Sequence, residues 1–149
     1  CLGSFGAQVY LAPDEESLKA RIREIGDRAY IIQRYIRSSK GRDVRIQVAG
    51  NEVVATMYRY NDNDFRANIT NGGSMKPFAP TPEMADMAVS ACKALDLDFA
   101  GVDILFGEDD TPILCEVNSN AHFKNLYDCT GINTADAIMR HIMNTPVEK

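Results

Sequence analysis

The stretch AGVDILF…PILCEVN constrains this 149-residue chain more than any other. Residues 100–106 and 112–118 are β-rich apolar runs around the turn residues GEDDT, which predicts an antiparallel hairpin. With a six-residue loop over 107–112, Asp103 falls directly opposite Glu116, and Asn118 shares their face. Two carboxylates side by side, flanked by Val102, Ile104, Cys115 and Val117, repel each other and are costly to bury. A protonated carboxyl, a bridging basic residue or a bound cation each relieves that conflict. Two carboxylates and an amide oxygen form a hard donor set of the kind that suits Mg²⁺, which keeps waters and also takes substrate phosphates. Acids that face solvent, or that are bridged by Arg, explain the same pattern.

The rest of the chain alternates helix and strand signals. Asp14, Glu15 and Glu16 after Pro13 start a helix carrying Leu18, Ile22 and Ile25, which Gly26 stops. A short extended run over 8–11 precedes it, and YIIQRYI (30–36) reads as a largely buried strand. A second hairpin turns at Gly50-Asn51. With Ala49 paired to Glu52, the residues Val44, Ile46 and Val48 face Met57, Ala55 and Val53, leaving Asp43 and Arg45 on a polar face beside Tyr58 and Thr56. Residues 61–78 form a long polar connection of the sort that is functional or disordered. Thr81-Pro82-Glu83 caps a helix whose buried stripe is Met84, Ala88, Ala91 and Leu95. A last helix from Asn133 or Thr134 buries Ala135, Ile138, Met139 and Ile142. The fold class is α+β with mainly antiparallel strands.

Composition removes several functions. At 45% apolar and 25% charged residues the chain is globular, and no run approaches the ~20 apolar residues of a membrane span. The net charge of −5 argues against a nucleic-acid partner, although Arg34, Arg37, Lys40, Arg42, Arg45, Arg59 and Arg66 crowd one stretch. Guanidinium groups there, Arg45 in its strand and Arg66 in the long loop, suit a polyanion such as a nucleoside triphosphate, while a solvated charged face is the common alternative. Cys1, Cys92, Cys115 and Cys129 are far apart, without a C-x-x-C pair, and read as reduced thiols of a cytoplasmic protein rather than zinc ligands. Gly3-Ser4-Phe5-Gly6 has the backbone freedom of a phosphate cradle but fits neither common glycine-rich nucleotide motif. His122 and His141 carry little weight, His141 suiting the end of its helix.

The order GSFG, IIQRYI, KGRDVRIQVAGNEVVATMYR, NDFRANITNGG, AGVDIL, CEVN resembles the RimK-like branch of the ATP-grasp superfamily over nearly the whole chain. The resemblance implies an ATP-grasp fragment, with 1–36 the remainder of the glycine-loop subdomain, 37–149 the C-terminal nucleotide and metal subdomain, and the preceding substrate domain absent. It implies that Gly3, Ser4, Phe5 and Gly6 fold over the phosphates and that Gln33, Arg34, Tyr35 and Ile36 read adenine through their backbone. Asp43 would meet the ribose, Arg66 and Asn68 the phosphates, and Asp103, Glu116 and Asn118 would hold Mg²⁺, with Mn²⁺ as a substitute. Arg66 is then the main catalytic charge, with Arg45 beside it. The implied activity joins a carboxylate to an amine, glutamate being a common amino acid to add, through an acylphosphate made from ATP. Its partners are small-molecule or peptide substrates, and homo-oligomers are allowed. A nucleotide-binding module without turnover is the alternative. The family's phosphate-binding Lys precedes the glycine loop and so falls before Cys1. Arg34 stands where an acid is common, and SNAHFKN replaces a Pro-Gly turn beside the acceptor site.

Overall fold

The computed structural model describes residues 8–145, which divide after Ile36 into two compact units, 8–36 and 37–145. In the first, helix α1 (Glu15–Ile25) forms where its capping chemistry predicts. The Asp14 carboxylate accepts the Ser17 N–H at 2.8 Å while the Ser17 hydroxyl accepts the Asp14 N–H at 3.2 Å, and Gly26 ends the helix. Neither run expected to be extended is a strand here. Residues 9–12 and 29–36 are irregular, and Ile31 and Ile32 are 69% and 60% exposed. A β-rich run becomes a strand only on a ladder, and among the described residues no strand forms a ladder with 30–36.

The second unit holds a five-stranded antiparallel sheet: β1 (Arg42–Ala49), β2 (Glu52–Tyr60), β3 (Ser74–Pro77), β4 (Phe99–Phe106) and β5 (Pro112–Asn118), in the order β3-β2-β1-β4-β5. Helix α2 (Pro82–Ala94) covers one face, its Thr81 hydroxyl accepting the Met84 N–H at 3.3 Å. Met84, Ala88 and Cys92 pack there on Val44, Ile46, Val48, Val102, Ile104 and Phe106. Cys92 takes the place expected of Ala91 and Leu95. Leu95 lies just past the helix and is 56% exposed.

Both hairpins differ from a straight ladder by one residue. In β2, Val54 is inserted between the pairs Val48–Val53 and Gln47–Ala55, so Val44 faces Tyr58 and Arg45 faces Met57. The expected pairing holds beside the turn and is lost beyond the bulge. The second face is accordingly not simply polar: Ala55 and Met57 lie on it and bury Leu126 of α3 (Lys124–Thr130). That helix has seven residues and no side-chain N-cap, so it left no pattern to read. In β5, Cys115 is inserted between Ile104–Leu114 and Asp103–Glu116. The loop is one residue shorter than expected, Phe106 pairing with Pro112, and the bulge restores Glu116 to its place opposite Asp103. Residues 61–78 include the edge strand β3 and a short 3₁₀ turn, Ile69–Asn71.

Helix α4 (Thr134–Asn144) starts on Asn133, whose side chain accepts the Ala135 N–H at 3.2 Å. It buries Thr134 and Ile138, while Met139 and Ile142, expected inside, are 54% and 49% exposed. Its stripe is thus narrower than its sequence, because only one flank meets β1 and β2. The far end docks beside the β1–β2 turn: His141 Nε2 lies 3.1 Å from Oδ1 of Asp98, just before β4, and the Gly50 N–H donates to the Asp98 carbonyl at 2.6 Å. Gly50 has φ +59, and a Cβ there would meet His141 Nδ1 at 2.7 Å. The main core lies between α2 and the sheet, so Ile46→Ala is expected to cost about 2–5 kcal/mol in denaturant unfolding. Met143→Ala, at a 79% exposed position, should stay within about 0.5 kcal/mol.

Candidate functional site

Beyond the α3 contact, the second face of the sheet carries charge. Asp43 of β1 is the register partner of Arg59 on β2, and Arg45 of β1 is the register partner of Asp103 on β4. Because i and i+2 share a face, the four side chains stand together. Arg59 donates from Nε and Nη2 to the two Asp43 oxygens at 2.6 and 2.8 Å, and its Nη2 also lies 3.0 Å from Asp103 Oδ2. Arg45 grips Asp103 as a fork, Nη2 to Oδ2 at 2.7 Å and Nε to Oδ1. Arg59 and Asp103 are buried. The row Asp43–Arg59–Asp103–Arg45 thus alternates sign and is neutral overall.

Burial alone would raise the Asp103 pKa, but the Arg45 and Arg59 guanidinium groups outweigh it and hold the carboxyl below its usual value. Burial pushes Asp43 up. Arg59 opposes this only in part, because it is shared with Asp103, whose charge pushes the same way as burial. Burial also lifts the neighbouring Cys115 thiol to about 11, which leaves it inert as a nucleophile at neutral pH.

Beside this row, Glu116 is exposed and is the register partner of Asp103, and it accepts a bond from Asn118 Nδ2 at 3.0 Å. The expected juxtaposition of the two acids is therefore present: Arg45 and Arg59 neutralise Asp103, while Glu116 faces solvent. As a test of fit to a divalent ion, Asp103 accepts three N–H bonds out of about four lone-pair sites, whereas Glu116 keeps most of its acceptor capacity. Among the described residues no three His, Cys, Asp or Glu side chains converge as a cage. A hard ion at Glu116 and Asn118, with one oxygen site left on Asp103, would need phosphate and water for the rest of its shell. That is the habit of Mg²⁺, so the residues fit it.

Gly101 makes the Arg45 fork feasible. A Cβ at Gly101 would lie 2.5 Å from Ala121 Cβ and 3.2 Å from Arg45 Cδ, so the absent side chain leaves the path of the Arg45 stem across β4. Arg66 and Asn68 sit in the connection after β2. Arg66 Nη2 donates to Asp64 Oδ2 at 2.8 Å, and these bonds, with the Arg66 backbone N–H, hold the Asp64 carboxyl down at about 2. Asn68 opens the Ile69–Asn71 turn. Gln33 and Arg34 are exposed and Tyr35 and Ile36 half-buried, all on irregular backbone of the first unit. Gly3, Ser4, Phe5 and Gly6 lie outside the described residues. Sequence reasoning missed Arg59, whose signal was hidden by the Val54 bulge: in a straight ladder it would oppose Arg42 rather than Asp43.

The two acids give opposite pH signatures. Asp103 holds its proton more weakly when folded, so its ionic contribution is complete above 3.8 and fades as pH falls through its lower folded value. Asp43 holds its proton more tightly when folded, so its share of stability declines as pH rises from 3.8 through its raised value. Unfolding free energies measured between about pH 3 and pH 7 should show it. The wild-type minus Asp43→Asn difference falls with rising pH above 3.8, whereas the wild-type minus Asp103→Asn difference is flat there and shrinks only below.

A family profile described as "RimK-like ATP-grasp domain" matches residues 1–142. Among curated relatives, a probable alpha-L-glutamate ligase 2 of Shewanella amazonensis is 38% identical over 143 residues, covering 94% of this chain and 47% of that protein. The ribosomal protein bS6–L-glutamate ligase of Escherichia coli is 36% identical over the same shares. The chain therefore spans about half the length of these relatives. Among solved structures, the ATP-grasp ligase PsnB complexed with minimal precursor, Mg and ADP superposes with TM-score 0.55 at 25% identity, over 68% of this chain and 33% of that one. D-alanine–D-alanine ligase of Bacillus anthracis complexed with ATP gives 0.59 at 16% identity, over 89% and 46%, a likeness of fold.

Proposed function

The chain belongs to the RimK-like ATP-grasp family, and from that premise we propose that it is the ATP- and Mg²⁺-binding part of a ligase joining a carboxylate to an amine. Glutamate is the amino acid we assign to the reaction, because two of the similar relatives are named for it. The observation that carries this reading is the charged face, where Asp43, Arg45, Asp103, Glu116 and Asn118 stand on neighbouring strands in one register.

In this reading a substrate carboxylate oxygen attacks the γ-phosphorus of ATP, and the bond to the β-phosphate oxygen breaks to give ADP and an acylphosphate. An amine then attacks the acyl carbon, phosphate leaves, and the nitrogen loses a proton. Asp43 receives ribose hydroxyls. Arg66 and Asn68 meet the phosphates, and Gly3 to Gly6 and Gln33 to Ile36 take the roles their resemblance implies. Glu116, Asn118 and the remaining oxygen site of Asp103 would hold Mg²⁺, which would supply charge neutralisation for the triphosphate. Arg45, with its stem fixed across Gly101, keeps Asp103 ionised and places positive charge beside the phosphate path. No side-chain nucleophile is required. No helix among the described residues is long and apolar enough to cross a membrane. The free thiols of Cys92, Cys115 and Cys129 suit the cytoplasm, where ATP is supplied.

The binding half is tested by calorimetric titration of the intact protein with β,γ-imido-ATP, with and without Mg²⁺. Glu116→Gln combined with Asn118→Ala is expected to remove at least tenfold of the Mg²⁺-dependent affinity, and unchanged affinity would overturn the metal assignment. The pairing of Asp103 with two guanidinium groups favours one second reading, a module that binds nucleotide without turnover. ADP release on adding L-glutamate and carboxylate acceptors separates the two. Steady release supports the ligase, and silence across broad acceptor mixtures supports the module.

A further inference from the structure

The nitrogen that links the two acids, half-buried Asp43 and buried Asp103, belongs to neither the sugar side nor the metal side of the proposed site. Arg59 Nη2 carries two N–H groups. One is 2.8 Å from Asp43 Oδ2, and the same nitrogen is 3.0 Å from Asp103 Oδ2. Nε fixes the other Asp43 oxygen at 2.6 Å, so the guanidinium plane cannot rotate without breaking a bond. Arg59 stands on β2 and Asp103 on β4, with β1 between them, two strand spacings or about 10 Å apart at the backbone. The Arg59 side chain is only 7% exposed, leaving water little room to replace the link.

A purely local pair needs less than this. Asp43 and Arg59 are already matched across the β1–β2 ladder, and Asp103 already has the Arg45 fork. The third contact does something different: it makes the position of one carboxylate depend on the other. A ligand held at Asp103 would therefore bear, through Nη2, on the position of the Asp43 oxygen, and the reverse. Without Arg59 the two acids would only repel each other.

We infer that Arg59 is a positioning residue that couples Asp43 to Asp103, so that divalent-ion binding at Asp103 and nucleotide binding at Asp43 reinforce each other. This rests on the ligase reading for the two ligands, but the coupling is a separate claim with its own measurement. The quantity is the ratio of β,γ-imido-ATP dissociation constants without and with Mg²⁺, measured by calorimetry on the intact protein. Wild type should show a large ratio. Arg59→Met should reduce it at least fivefold. Arg59→Lys, a point charge unable to serve both acids in the forked geometry, should also lower it. Lys19→Met, which breaks the exposed helix-borne pair of Lys19 with Glu15 at 2.8 Å, is the control and should leave the ratio unchanged.

Arg59→Met strands a buried carboxylate and is the variant at risk of unfolding. Arg59→Lys, and Arg59→Met combined with Asp43→Asn, then carry the measurement, with thermal melting as the check on folding. A ratio that falls in these folded variants supports the coupling. A wild-type ratio retained in folded Arg59→Lys and in the double variant makes Arg59 merely structural and overturns it. A wild-type protein that binds β,γ-imido-ATP equally with and without Mg²⁺, or does not bind it, instead overturns the ligand assignments beneath it.

Discussion

The alternating row Asp43–Arg59–Asp103–Arg45 is the interaction on which the charged face depends. A buried carboxylate with no counter-charge destabilises a fold by several kcal/mol, roughly 3–5 when one partner is removed. Here each acid has its own fork, and one shared nitrogen joins the two pairs into a row. Such a row adds little net stability compared with a greasy replacement of equal shape. What it supplies is fixed geometry: acceptor and donor positions held on three adjacent strands of one sheet.

Two bulges produce that geometry. Val54 moves β2 by one residue so that Arg59 opposes Asp43, and Cys115 moves β5 so that Glu116 opposes Asp103. Each insertion reverses which face the residues on one side of it present. The apolar side adapts, with Met57 and Ala55 covered by Leu126 instead of α2. Strand irregularity and charge placement are therefore one feature of the fold.

The bulges also explain what was legible in the sequence. The hairpins and the Asp14, Thr81 and Asn133 caps follow from local chemistry and periodicity, whereas Asp103 opposes Glu116 only because a loop one residue shorter than expected is offset by the Cys115 bulge. The register beyond the Gly50 turn does not, because a one-residue insertion leaves no signature in alternation that short. Arg59 went unrecognised for that reason. The apolar run at 30–36 and the outer flank of α4 failed differently: Ile31, Met139 and Ile142 carry the hydrophobicity of buried positions, but burial depends on a neighbour rather than on the residue.

Gly101 carries a consequence for how such a chain can change over generations. The loop after β5 leans its Ala121 methyl against the one spot on β4 that lacks a side chain, where the Arg45 stem also crosses. The loop can therefore diversify at its exposed Ser119 and Asn120, whereas any side chain added at 101 would strike the Ala121 methyl. Substitution can drift along the rim while that one contact is kept.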